Sequence, residues 1–282
     1  YLNINIHLSI ITVYKFGTNK FSKILNYYFM TDQQNIFDEK LIDIRKKRVK
    51  NKFSTFIHDL AISDLKDRLL EIGNECLEIL IVGHFAKYWS NNLTIKKTKY
   101  IKENKFLNIL PRSQDLIISA LHLHSANDPI SKLVQMRFGL KTNGIFLGYA
   151  FGEKSLNELR KSFEYAEIKN FGGISPRVHP MITIPTFGSL LNRSGFNFCV
   201  TDKLHFEIEY DNPMHLIHDL KRIGETNCLL NRNKKILTKS FLTDVLSFYK
   251  KNFFSKSLNN KYIATFDIIC LTGWNSKPKK SI

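Results

Sequence analysis

The sequence predicts an α/β fold, a mostly parallel sheet covered by helices on both faces. Three observations lead there. Short, continuous apolar runs stand at 78–82 (EILIV), 114–121 (QDLIISAL) and 144–152 (GIFLGYAFG). Segments with Leu and Ile spaced three and four apart separate them. Continuous rather than alternating apolar strands are the mark of a sheet buried on both sides.

In chain order, the spacing predicts helices over 36–52 and 55–72, then the buried strand at 78–82. A second buried strand follows at 114–121. Asp128-Pro129 opens a helix, because Asp caps orphan amides and Pro suits the first turn. That helix runs to about Lys141, before Asn143-Gly144 and the third strand. A helix is expected from Ser155 to Ile168, an ordered loop at 170–180 (NFGGISPRVHP), and a short helix at 186–194. Two strands, GFNFCVTD and KLHFEIEY, helices at 213–223 and 239–252, and a long strand at 261–274 complete the chain.

Composition narrows the class. Of the 282 residues, 43% are hydrophobic and 24% charged, which is ordinary for a globular protein and argues against a disordered one. The net charge is +17, concentrated at 45–52 (RKKRVKNK) and 96–105 (KKTKYIKENK). Each cluster is read as a solvated helix face or a contact to an acidic partner, and the first offers a peripheral membrane contact. The basic residues do not interleave with aromatics in a recognition motif, so nucleic acid is not the expected partner. Cys76, Cys199, Cys228 and Cys270 form no C-x-x-C pair, so neither a zinc site nor a disulfide framework is signalled. No run reaches the roughly 18 apolar residues of a membrane span. Residues 1–29 precede the first methionine, Met30, and are expected to be a poorly constrained extension; residues 30–282 are expected to be a single domain.

Seven pieces in order then carry a family resemblance: NIFD (35–38), DLIISALHLHSANDP (115–129), LKTNGIFLGYAFGEKSLNELR (140–160), GGISPRVHP (172–180), LLNRSGF (190–196), GETN (224–227) and ATFDIICLTGW (264–274). From Asn35 to Trp274 the chain resembles the mitochondrial complex I assembly factors of the methyltransferase superfamily and their alphaproteobacterial relatives. The methyltransferase of biotin synthesis is wider kin. The resemblance implies a Rossmann-like class I methyltransferase sheet with a helical N-terminal cover and an antiparallel C-terminal edge. It also implies S-adenosylmethionine (SAM) as cofactor and a respiratory complex I subunit as protein substrate. In the mitochondrial branch the implied reaction is hydroxylation of an arginine in that subunit. The implied location is cytoplasmic in a bacterium and the matrix side of the membrane in a eukaryote.

In that fold the first strand ends on an acid and a glycine-rich loop, because backbone must approach the methionine part closely. A second acid, after strand two, holds the ribose. Here Gly83 matches the first glycine, while Ile81 stands at the acid and Lys87 at a later glycine. Val82, Gly83 and His84 are therefore the candidate cofactor contacts, in a remnant of the loop. Between Glu78 and Asp115 the only acid is Glu103. Two helices, two strands and their loops need roughly 45–60 residues, more than this segment supplies. One β-α unit is thus expected to be shortened or missing, and it should be the unit carrying the ribose acid.

The remaining candidates have two readings each. His122 and His124 lie past the second buried strand, at the edge where ligands bind in parallel sheets; buried histidines bonded to backbone are the alternative. His124 matches the family's histidine, but Ser125 replaces its tryptophan. Asn127 and Asp128 either reach substrate or cap the next helix. Arg177 and His179 either hold a carboxylate or order their own loop through a salt bridge. Glu225, with Asn227, either binds a guanidinium or caps its segment, and Gly224 suits the end of the preceding helix. Two functions remain open: a SAM-dependent enzyme acting on a complex I subunit, or a catalytically silent binding module of the same fold.

Overall fold

The computed structural model describes residues 35–49, 52–73, 78–93, 95, 98–255 and 261–276. The expectation for residues 1–29 lies outside them, as do Lys50, Asn51, Lys96 and Lys97 of the basic clusters. Among the described residues the elements run α1 (Glu39–Val49), α2 (Phe56–Ile72), β1 (Ile79–Val82), α3 (Ala86–Asn92), β2 (Thr98–Ile101), β3 (Gln114–Ala120), a 3-10 turn (Leu123–Ser125) and α4 (Pro129–Gly139). They continue with β4 (Leu140–Phe151), α5 (Asn157–Phe171), α6 (Ile184–Arg193), β5 (Asn197–Tyr210), α7 (Pro213–Ile223), α8 (Lys239–Asn252), β6 (Phe254–Ser255) and β7 (Lys261–Trp274).

The sheet order is β2-β1-β3-β4-β7-β5, with the short β6 on β7. The pairs β2–β1, β1–β3 and β3–β4 are parallel, and β7 is antiparallel to both β4 and β5. The three apolar runs are thus neighbours in one parallel sheet, and the C-terminal runs form its antiparallel edge, as expected. Alternation along β1 divides the core. Ile79 and Ile81 face a cluster with α2, α3, α5, α7 and α8, through residues such as Leu65, Trp89, Leu159, Leu216 and Tyr249. Leu80 and Val82 face the other cluster, with Met136 of α4 and Phe187 and Leu191 of α6. Each fully buried side chain of this kind stabilises by roughly 1.5–3 kcal/mol.

Local chemistry sets the helix starts. The Asp128 carboxylate accepts from the Ser131 amide at 2.8 Å, with Pro129 in the first turn. Thr183, Asn212 and Thr238 cap α6, α7 and α8 in the same way. Gly224 ends α7 in the left-handed region, at φ 74°.

Three expectations are corrected. GFNFCVTD and KLHFEIEY are one strand, β5, because both halves pair continuously with β7 beyond a single register shift near Asn197. The second basic cluster is not a helix face: Thr98–Ile101 is β2, at the sheet edge beside β1. The missing β-α unit also falls later than expected. The short helix α3 and β2 are present, and the chain runs from β2 to β3 without a further helix or strand. The strand that precedes the ribose acid in this fold is therefore kept.

Candidate functional site

The carboxyl ends of β1, β2, β3 and β4 converge on one edge of the sheet, and the candidate residues gather there. Val82 ends β1 fully buried, and the Gly83 amide bonds to the Ile101 carbonyl at 3.1 Å. A Cβ on Gly83 would stand 2.8 Å from the Ala120 carbonyl oxygen. The glycine is thus required by the approach of β1 to the end of β3. His84 follows, its Nε2 3.3 Å from Glu103, which also takes Lys132 Nζ at 2.5 Å. Glu103 lies two residues past β2. Burial acts to raise its pKa, but His122, His84 and Lys132 offset this and hold the carboxyl below the usual range.

A second cluster sits beside the first. Glu225, just past α7, pairs with Lys46 of α1 and with His124 Nε2 at 3.2 Å. The Lys46 side chain keeps 7% exposure and Glu225 9%, so this is a buried pair. Burial would raise the Glu225 pKa; Lys46, with His124, drives it well below normal instead. The Lys46 ammonium also donates to the Ile223 carbonyl at 3.1 Å, and its ammonium lies 5.2 Å from the Phe85 ring centre. Gly224 leaves it room, since a Cβ there would stand 2.9 Å from Lys46 Cδ. His124 packs edge-on against Phe151 and lies parallel to His179 at 6.1 Å. Burial depresses His58 to about 3, helped by Lys46. Burial likewise takes His122 to about 4 and, with His124 nearby, His179 to about 4.

The other candidates make contacts within the chain. Asn127 Oδ1 accepts from the amides of Ile36 and Phe37 at 2.9 and 2.8 Å, and its Nδ2 donates to the Phe37 carbonyl and to Glu39. It clamps the segment that leads into α1. Asp128 caps α4. Arg177 pairs through Nε with buried Glu167 at 2.5 Å, and the same carboxylate accepts from the Ser175 amide, which orders the SPRVHP loop. Asn227 donates to the Pro176 carbonyl at 2.8 Å and accepts from the Leu229 amide. Glu225 is already paired with Lys46 and His124.

Sequence reasoning missed Lys46, Glu103 and Lys132. Glu103 carried one signal, a lone acid two residues beyond TKYI in a basic stretch. Lys46 carried none, because its partner is 179 positions away. The basic helix is also not uniformly solvated: Lys46 points inward, and Arg45 donates to the Asn227 carbonyl.

A polar cleft of about 170 Å³ opens beside the first cluster, walled by Glu39, Ile42 and Asp43 of α1 and by His84, Glu103 and Lys132. Pockets for cofactors of drug size span about 300–1,000 Å³ and are mostly apolar. In this arrangement the cleft is smaller and more polar than such a pocket. Among the described residues, the buried His84 Nδ1, His122 Nε2 and His124 Nδ1 have no hydrogen-bond partner, and no group of three His, Cys, Asp or Glu could hold a metal ion.

The strand order and the parallel crossovers, with an antiparallel β7, define a Rossmann-like fold of the class I methyltransferase type. No protein-family model matches the chain. The mouse protein named arginine-hydroxylase NDUFAF5, mitochondrial, is 33% identical over 253 residues, covering 84% of this chain and 72% of its own. The Dictyostelium discoideum protein of the same name is 38% identical over 183 residues, 64% of this chain and 42% of that one. A solved Bacillus halodurans methyltransferase aligns with 75% of this chain and 98% of its own, at 12% identity and a TM-score of 0.46. The chain belongs to the family of the mitochondrial arginine-hydroxylase NDUFAF5.

Two predictions follow from the buried charges. Glu225→Gln should cost about 3–5 kcal/mol by stranding buried Lys46, and adding Lys46→Met should recover most of that loss. Denaturant unfolding of both variants checks it; additive losses would count against a coupled pair. The second concerns pH. His58, His122 and His179 have folded pKa values below their unfolded value of about 6.5, so the unfolded chain binds more protons below that pH. Their stabilisation is complete above about 6.5 and is lost as pH falls toward 4, by on the order of 1–2 kcal/mol each at pH 5. The paired carboxylates add their loss only below about 4.3. Unfolding midpoints at pH 7 and 5 test this, and equal midpoints would refute the buried neutral state of these histidines.

Proposed function

We propose that this chain serves the maturation of respiratory complex I as a binding module for one of its subunits, with the cofactor chemistry of its fold silent. The observation that carries this reading is the closure of the carboxyl edge by the chain's own ion pairs. Lys46–Glu225–His124 holds α1 over that edge, and His84–Glu103–Lys132 fills the space beyond Gly83. Complex I enters through the family resemblance, and the relatives' own name is that of a mitochondrial arginine-hydroxylase. The proposed location follows them, the matrix side in a eukaryote. Among the described residues no helix is long and apolar enough to cross a membrane. Membrane contact, if made, would use the outward charges of α1, such as Lys47 at 70% side-chain exposure.

A second reading keeps the enzyme. Glu103 past β2 stands where this fold places its ribose acid, and His84 Nδ1 lacks a partner beside it. An outward shift of α1 would then open the cleft to SAM. Calorimetric titration with SAM separates the two. The silent module predicts a dissociation constant weaker than about 1 mM, a binding free energy smaller than roughly 4 kcal/mol. Micromolar binding, lost in Glu103→Gln, would restore the enzyme. In cells depleted of the chain, native gels should show less assembled complex I; unchanged assembly would remove the proposed role under either reading.

A further inference from the structure

A second and larger cavity, of about 540 Å³, lies past the end of β4 between α5, α7 and the loops around Met181 and Asn233. Its floor is apolar, formed by residues such as Leu159, Phe163, Met181 and Ile217. Its rim is basic. The rim charges are unequal in their partners. Arg177 is neutralised by Glu167 and Arg232 by Asp38 at 3.2 Å, while the one lining acid, Glu225, is neutralised by Lys46. That leaves Arg45, Lys221 and Lys234, which form no ion pair among the described residues, although the charge of Asp38, itself paired with Arg232, reaches Arg45 and Lys234. The size falls within the range of small-molecule sites, which run about 300–1,000 Å³.

We propose that this cavity binds an anionic amphiphile of small-molecule size, a carboxylate on an acyl chain, with the chain on the floor and the head on the Arg45–Lys221–Lys234 rim. An apolar floor alone would take any oily molecule. These three cations, which form no ion pair among the described residues, select the sign of the head, because an anionic head meets opposite charge there and a cationic head would meet like charge. The site is separate from the cleft beside Gly83, and the inference does not rest on whether SAM binds there.

The test is calorimetry on the full chain, below the micelle-forming range, with decanoate, octanoate and decyltrimethylammonium. Decanoate should bind at least ten-fold more tightly than decyltrimethylammonium. Octanoate should bind roughly ten-fold more weakly than decanoate, the effect of two methylenes. Lys221→Glu/Lys234→Glu, both exposed positions, should weaken decanoate at least ten-fold and raise affinity for the cation, with an unchanged melting temperature. Equal affinity for the two head charges, no chain-length dependence, or decanoate binding untouched in the double variant would each overturn the proposal. So would an absence of decanoate binding. Should the double variant melt early, Lys221→Gln and Lys234→Gln singly give the same reading, each expected to lose several-fold.

Discussion

The buried contact of Lys46 with Glu225 and His124 organises the ligand edge of this protein. It joins the first described helix to the turn after α7 and to the loop after β3, three segments far apart in sequence. Removing two charges from water is costly, and the attraction between them offsets that cost only with good geometry and further hydrogen bonds. Further hydrogen bonds are present here: Lys46 also bonds to the Ile223 carbonyl, and Gly224 clears the path of its side chain. The Asn127 clamp on Ile36 and Phe37 fixes the entry to the same helix, and the Asp38 amide adds a bond to the Cys228 carbonyl. α1 is thus held along its length, and it forms the wall of the cleft beside His84 and Glu103.

This arrangement changes the meaning of residues that a binding site would claim. In an open methyltransferase-type edge, an acid after strand two and a glycine after strand one face the ligand. Here Glu103 faces His84 and Lys132, and Gly83 is required by Ala120. The same economy governs Arg177, whose partner is Glu167. What remains open is the basic-rimmed cavity past β4, bordered by His179 and Glu225 but floored by apolar side chains.

Much of the fold was legible in the sequence, for physical reasons. β1, β3 and β4 are buried on both faces, so their apolar runs are continuous and identify them. Asp128-Pro129 and Gly224 mark helix ends because capping and the left-handed turn constrain residue type at one position. β2 was hidden because it is an edge strand of four residues with Lys99 and Tyr100 exposed, so nothing apolar announces it. β5 looked like two strands because Asp202 and Lys203 interrupt its pattern, yet both sit on an exposed edge where charge is tolerated. The nearness of the candidate residues to one another was legible, but their pairing was not. His124, Arg177, His179 and Glu225 do gather near one edge, whereas the partners Lys46, Glu167 and Lys132 are set by tertiary packing that no local spacing records.

If the carboxyl edge is closed by these pairs, α1 is a fixed cover and not a movable lid. Hydrogen exchange of the backbone amides of Glu39–Val49, with and without millimolar SAM, addresses it most directly. The account predicts exchange nearly as slow as global unfolding allows, and the same in both samples. Exchange as fast as a fraying segment, or a change in protection when SAM is added, would contradict it.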